Sequence, residues 1–273
     1  MNNNAPIELI KPTLSGHEPA ISIQLRASDI EMRRLFDHIQ ENWQQLGKDD
    51  PYWSVISAEQ FRSDNIVPQR IDEFYANGRG DLDRILKTLE RNGIDAKELH
   101  SVLEYGCGVA RVTRWLAGQF ETIYGYDISK QHLALAQSHL QTLGVTNVNL
   151  HHLSKPEDIS TLPAVDLLYS VIVLQHNPPP IIGYMIEQFI QCLNPRGVAI
   201  FQVPTYNINY SFDLCTYLKN ARSDGGIEMH VFPQSEIFHI IRKNGANVVE
   251  VLEDIWIGYE PKHLSNTFLV RKD

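Results

Sequence analysis

The chain has 273 residues, with 24 Lys plus Arg, 33 Asp plus Glu and a formal net charge of −9 at pH 7. A chain of this length can bury a full hydrophobic core, and one α/β domain with an N-terminal extension accounts for it better than two equal domains. The acidic balance argues against a nucleic-acid partner, because such partners are bound through an excess of Lys and Arg.

The cysteines Cys107, Cys192 and Cys215 are odd in number and lack the spacing of a metal site, so reduced thiols are the simple interpretation. The first residues contain no basic patch that leads into an apolar run, and no apolar stretch reaches membrane-spanning length. We therefore expect a cytoplasmic location, no membrane partner and no bound metal. The sequence leaves the oligomeric state open.

The N-terminal part of the chain is predicted to be helical and to precede the sheet. Residues 1–27 show no firm periodicity and are expected to form a loose arm. A helical extension follows over residues 28–97, and it begins with a capping box at Ser28 and Glu31 before an apolar stripe. Two further helices, separated by a pair of glycines, are predicted within residues 67–92.

The remaining residues, 98–273, alternate between short apolar runs and helical patterns. Strands are predicted near 101–105, 121–126, 147–151, 165–173, 197–203, 247–254 and 266–271. Helices are predicted near 110–118, 130–143, 179–193 and 234–244. This alternation predicts a mostly parallel sheet with helices on both faces, and the last two strands are joined without a helix.

The clearest motif is a strand that runs into the turn Gly106-Cys107-Gly108 and then into a helix that is expected to begin near Ala110. The glycines allow positive φ and let a ligand lie against bare backbone, while the helix start offers free N–H groups. Asp127 ends the next predicted strand, where a carboxylate can accept both hydroxyls of a ribose. Together these features predict a ligand that contains a nucleoside.

The residues around this turn indicate which nucleoside. A dinucleotide site favours Gly where Arg111 stands and does not ask for an acid at Glu104. The run Glu104-Tyr-Gly-Cys-Gly-Val-Ala110 instead resembles motif I of the class I S-adenosylmethionine-dependent methyltransferases. Asp127 matches the second acidic position of that family.

Two later segments extend the resemblance. Residues 166–176 are similar to the family's fourth strand and the turn after it, and residues 193–202 are similar to its fifth strand. The resemblance covers about residues 70–271 and implies a doubly wound, mostly parallel seven-stranded sheet with an antiparallel last strand. It implies S-adenosylmethionine as the cofactor. The implied cofactor site contains Glu104, Gly106, Cys107, Gly108, Arg111, Asp127, Ile128, Ser170 and Val171.

The residues expected to contact the adenine ring of the cofactor depart from the family pattern. Many relatives carry an acid just after the third strand, but residues 151–154 offer none. Glu157 or Asp158 is a possible substitute, and Ile128 is the apolar contact that we expect there.

The sequence gives fewer signals for the residues that bind the methyl acceptor. His176 follows the fourth strand near the cofactor and is the first candidate for a general base, because imidazole titrates near working pH. An equally good alternative is that His176 bonds the loop backbone or packs on a helix start. Residues 204–233 form a long connection that is predicted to cover the substrate, and it supplies the further catalytic candidates Tyr206 and His230.

The sequence thus predicts a methyltransferase that uses S-adenosylmethionine to methylate an O or N atom of a small molecule, for example a sugar or a secondary metabolite. Two alternatives stay open at this point. One is a nicotinamide-dependent oxidoreductase, which shares the cofactor cradle. The other is a non-catalytic subunit that binds S-adenosylmethionine without turning it over.

Overall fold

The computed structural model describes residues 14–220, 226–258 and 262–273. Its strands are β1 Ser101–Tyr105, β2 Thr122–Asp127, β3 Val148–His152, β4 Val165–Ser170, β5 Leu193–Asn207, β6 Ala246–Asp254 and β7 His263–Lys272. Its α-helices are α1 Asp29–Asp49, α2 Pro68–Asn77, α3 Arg79–Arg91, α4 Thr113–Ala117, α5 Lys130–Thr142, α6 Pro179–Gln191, α7 Leu214–Asn220 and α8 Gln234–Lys243.

Within these described ranges the strands form one seven-stranded sheet in the order β3-β2-β1-β4-β5-β7-β6. The pairs from β3 to β5 are parallel, and β7 pairs antiparallel with both β5 and β6. Parallel neighbours need crossover connections, which the helices provide. The predicted fold, a mostly parallel sheet with an antiparallel last strand and helices on both faces, is confirmed.

The sheet has a hydrophobic core on each face because side chains alternate along its strands. On one face, Leu103 and Tyr105 of β1 are buried with the apolar sides of α6 and α8. On the other face, Val102 packs with Ile85 of α3 and Leu116 of α4. The doubly wound arrangement therefore follows from strands that are apolar on both sides.

The fourth and fifth strands end at other residues than predicted. The fourth strand was expected to reach residue 173 but ends at Ser170, because Ile172 takes a φ of 59° and a 3₁₀ turn follows at Leu174–His176. The fifth strand is longer than the predicted 197–203, since β7 pairs with β5 as far as Asn207. Both differences lie at the edge of the sheet where ligands of such folds bind.

The N-terminal extension packs onto the sheet domain. The capping box at Ser28 and Glu31 is present at the start of α1. Part of the predicted loose arm is held in place, because Gln24 donates its backbone N–H to Phe212, and Phe212 donates to Ser22, both at 3.0 Å. Residues 1–13 of that arm lie outside the described residues.

Candidate active site

The glycine turn after β1 is longer than predicted. Gly106, Gly108 and Ala110 have φ values of 77°, 53° and 67°, and α4 begins only at Thr113. The prediction that a helix begins near Ala110 is wrong, since the left-handed conformation of Ala110 continues the turn. A Cβ on Gly106 would lie 2.3 Å from a methyl group of Val173, so this position leaves no room for a side chain.

The acid at the end of β2 faces the same turn. Asp127 is buried, and its two carboxylate oxygens accept the backbone N–H groups of Gly108 and Ser129, each at 2.8 Å. His132 lies beside it, with Nδ1 at 3.8 Å from the carboxylate and Nε2 at 2.9 Å from the hydroxyl of Ser54. Asp127 is therefore held rigidly, and residues of the N-terminal extension contribute to its surroundings.

A buried ion pair lies at the opposite end of the turn. Arg111 Nη1 donates to Asp81 at 2.6 Å, and Asp81 also accepts from Arg84 at 2.5 Å and from the Tyr169 hydroxyl at 3.1 Å. Arg111 Nε is buried and has no hydrogen-bond partner among the described residues. Burying such a donor costs free energy unless a ligand binds it. Asp81 was not predicted, because it sits in the first turn of α3 outside any motif.

Glu104 lies between these two ends of the site. It is buried, and the hydroxyl of Thr113 donates to its carboxylate at 2.5 Å. Burial raises the pKa of Glu104 to about 8, and the hydrogen bond from Thr113 only partly offsets this. Burial likewise holds the pKa of the Cys107 thiol well above its ordinary value, so that this thiol stays protonated.

Asp127, Glu104, Arg111 and Asp81 line one open cleft at the carboxyl ends of the parallel strands, with about 970 Å³ of empty space when its mouth is included. Ligands of open α/β sheets bind at this rim. All of the predicted cofactor residues line it except Ser170, whose hydroxyl donates instead to the Tyr105 carbonyl inside the sheet. The lining residues from the prediction are Glu104, Gly106, Cys107, Gly108, Arg111, Asp127, Ile128 and Val171.

The N-terminal extension closes this cavity. Ile39 and Trp43 of α1 line it, and Ser54 and Val55 line it next to Gly108. The sequence pattern did not single out these four side chains as site residues, since helical apolar stripes usually pack in a core.

The part of the cavity near Ile128 is apolar. Leu153 and Met185 line it together with Ile128. Neither of the predicted acidic substitutes lines it, because Glu157 pairs with Arg33 and Asp158 accepts from the backbone at the start of its own turn.

His176 does not line the main cavity. It lies at the wall of a second, much smaller cavity next to α1. Its Nδ1 is 2.7 Å from the Glu228 carbonyl and its Nε2 is 3.3 Å from the Gln175 side-chain nitrogen, so both ring nitrogens have partners. Burial lowers the pKa of His176 to about 4, which keeps the ring neutral at working pH. These contacts match the alternative in which His176 bonds the loop backbone.

The other two catalytic candidates lie elsewhere. Tyr206 donates its hydroxyl to the Pro19 carbonyl at 2.8 Å and does not line either cavity. His230 is buried behind the second cavity, where it contacts Glu228 at 2.9 Å and the Tyr210 hydroxyl at 2.8 Å. The structure therefore brings the predicted cofactor residues other than Ser170 to one cavity, and none of the three predicted catalytic residues lines it.

Among residues 14–220, 226–258 and 262–273, no group of three or more His, Cys, Asp or Glu side chains is placed to hold a metal ion. No helix in the same part of the chain is both long and apolar enough to cross a membrane.

Comparison with known proteins identifies the family. Residues 73–251 match the methyltransferase domain family. Magnesium protoporphyrin IX methyltransferase from Synechocystis PCC 6803, solved with bound S-adenosylhomocysteine, is 18% identical with a TM-score of 0.59, covering 88% of this chain and 100% of that one. The N-methyltransferase NodS from Bradyrhizobium japonicum, in complex with the same compound, is 15% identical with a TM-score of 0.52, covering 86% and 98%. No curated protein matches the chain.

At these identities the solved structures show the fold alone, while the family match covers well over half of the chain. The match decides against the alternative of a nicotinamide-dependent oxidoreductase. The glycine turn, the acid at the end of β2 and the seven-stranded sheet agree with it. The chain therefore belongs to the methyltransferase domain family and is a class I, S-adenosylmethionine-dependent methyltransferase.

Proposed function

We propose that the protein transfers the methyl group of S-adenosylmethionine to an O or N atom of a small molecule. The observation that carries the proposal is the main cavity, a concave site whose lining combines the strand ends with Ile39 and Trp43 of α1 and with Ser54 and Val55. A concave site of this kind suits a small acceptor. The formal charge of −9 also makes a nucleic-acid acceptor a poor match.

The residues of the cavity fit this cofactor. Asp127 has lone pairs left on both oxygens for ribose hydroxyls, and Gly108 leaves backbone bare beside it. The unpartnered Nε of Arg111 suits the carboxylate of the methionine part, and oxygens of the buried Glu104 and Asp81 carboxyl groups can accept hydrogen bonds from its ammonium. The apolar end near Ile128 suits the adenine ring.

When bound, S-adenosylmethionine supplies an electrophilic methyl group on a sulfonium ion. The chain has to hold the acceptor in line with that methyl group and to keep water out. Val171 and Val173 line the cavity after β4, and Trp43 closes it from α1, so its walls there are largely apolar. The catalytic roles of His176, His230 and Tyr206 stay predictions, as does a cytoplasmic location.

Calorimetry with S-adenosylmethionine and S-adenosylhomocysteine tests the cofactor part. The Asp127→Asn variant should weaken both ligands by about 1–3 kcal/mol, because a buried carboxylate acceptor is lost. Asp83→Ala, on the exposed side of α3, is the matched control and should leave both affinities unchanged. Absence of binding heat from either compound would contradict the proposal, and an unchanged affinity of Asp127→Asn would remove that residue from the site.

The acceptor part needs a separate assay. Formation of S-adenosylhomocysteine should be stimulated by members of a panel of small alcohols, sugars and amines. Stimulation by peptides or nucleic acids, with none by the small compounds, would refute a small-molecule acceptor.

A further inference from the structure

The turn that follows α1 brings the N-terminal extension to the glycine turn. Ser54 and Val55 of this segment line the main cavity, as do Gly108 and Asp127. A Cβ on Gly108 would lie 3.0 Å from a methyl group of Val55, so the segment packs directly against the glycine turn. Ser54 therefore belongs to the same wall of the cavity as the acid at the end of β2.

The hydroxyl group of Ser54 has two neighbours. Its oxygen lies 3.1 Å from the Pro51 carbonyl oxygen and 2.9 Å from His132 Nε2, and the residue is 6% exposed. A serine hydroxyl offers one proton and two lone pairs. Whichever neighbour takes the proton, at least one lone pair is left, and within the described part of the chain no other group donates to it.

His132 sets the position of Ser54 relative to Asp127. Its Nδ1 lies 3.8 Å from the Asp127 carboxylate and its Nε2 contacts Ser54, so one imidazole ring stands between the two acceptors. His132 is buried and lines the cavity as well. A carboxylate and a hydroxyl oxygen are thus held at a fixed separation on one wall.

Two acceptors in this arrangement suit a ligand with two neighbouring hydroxyl donors. A ribose carries such a pair at C2′ and C3′, and S-adenosylmethionine contains a ribose. A cofactor that fills the cavity displaces the water around Ser54, and a buried acceptor that then stays unpaired costs free energy. A hydroxyl group that donates to Ser54 removes this cost.

From this geometry we infer that Ser54 accepts a hydrogen bond from one ribose hydroxyl of the cofactor while Asp127 accepts one from the other. Ser54 is then a residue of the N-terminal extension that makes the site specific for ribose over deoxyribose. The inference rests on the proposed function, because it needs the cofactor in the main cavity.

Three ligands that differ by one hydroxyl test it, namely S-adenosylhomocysteine and its 2′-deoxy and 3′-deoxy analogues. Calorimetry on the full chain measures their affinities for the wild type and for Ser54→Ala. The variant should bind S-adenosylhomocysteine about fivefold to tenfold more weakly. It should bind one deoxy analogue as tightly as the wild type does, because that analogue lacks the hydroxyl that Ser54 accepts, and it should bind the other more weakly.

Ser63→Ala is the matched control. It makes the same change in the same extension, where the Ser63 hydroxyl donates to the Asp49 carbonyl at 2.6 Å and does not line the main cavity. All three affinities should equal those of the wild type.

Equal weakening of all three ligands by Ser54→Ala would mean that this side chain acts through packing, and an unchanged affinity for S-adenosylhomocysteine would mean that it makes no contact with the ribose. Either result would overturn the inference. Because the three ligands are compared within one variant, a reduced fraction of folded protein does not alter the comparison. Failure of S-adenosylhomocysteine to bind to the wild type would instead count against the proposed function.

Discussion

A buried carboxyl with a raised pKa makes the stability of this protein depend on pH in a direction that is unusual for an acid. Glu104 is 5% exposed, and burial raises its pKa from 4.5 to about 8. In the unfolded chain it loses its proton above about pH 4.5, whereas the native state keeps the proton to about pH 8. The native state therefore binds more protons in this interval, and its stability falls as the pH rises.

The magnitude follows from the two pKa values of Glu104. Between about pH 5.5 and pH 8 the native state should lose about 3 kcal/mol of unfolding free energy through this group. Glu104→Gln cannot titrate, so its unfolding free energy should lack this loss. Between pH 5.5 and pH 8 the unfolding free energy of the variant, relative to that of the wild type, should thus rise by about 3 kcal/mol.

Urea unfolding at both pH values, followed by circular dichroism, measures this difference. Glu98→Gln changes an exposed carboxyl close in sequence and serves as the control, for which the difference from wild type should be the same at both pH values. If Glu104→Gln behaved like this control, burial would not hold the proton on Glu104 and the reasoning would be refuted.

Two further predictions concern packing and protonation. Gly78→Ala should destabilise the fold by about 1–3 kcal/mol, since its Cβ would lie 2.1 Å from the Arg111 carbonyl oxygen. Gly80→Ala, two residues further on, would place its Cβ in ordinary contact with Arg84 Nη1 at 3.7 Å and should be neutral or stabilising; equal urea midpoints for the two variants would contradict this. Burial lowers the pKa of His176 to about 4, so the native state should lose stability through this ring as the pH falls from about 6.5 towards 4. Long-range ¹H–¹⁵N NMR should show a neutral ring protonated at Nδ1 at pH 6, and a charged ring there would refute the assignment.

Local sequence patterns were sufficient to predict the architecture. The alternation of strands and helices predicted the doubly wound sheet, and β1 was predicted at its observed bounds, Ser101–Tyr105. The helix expected near Ala110 was wrong, because an alanine gives no sign in the sequence that its φ will be positive. Boundaries such as this are decided by the packing of the turn against Val173 and Val55, which lie far away in the chain.

The sequence by itself determined the fold and predicted the residues of the proposed cofactor site, since Glu104, the glycine turn and Asp127 follow one another within a single strand-turn-helix-strand unit. Only the tertiary structure decided the rest. Asp81 meets Arg111 across 30 residues, and Glu228 meets His38 across 190. Such pairs form because folding buries polar groups together and each must then find a partner, which no local spacing in the chain encodes.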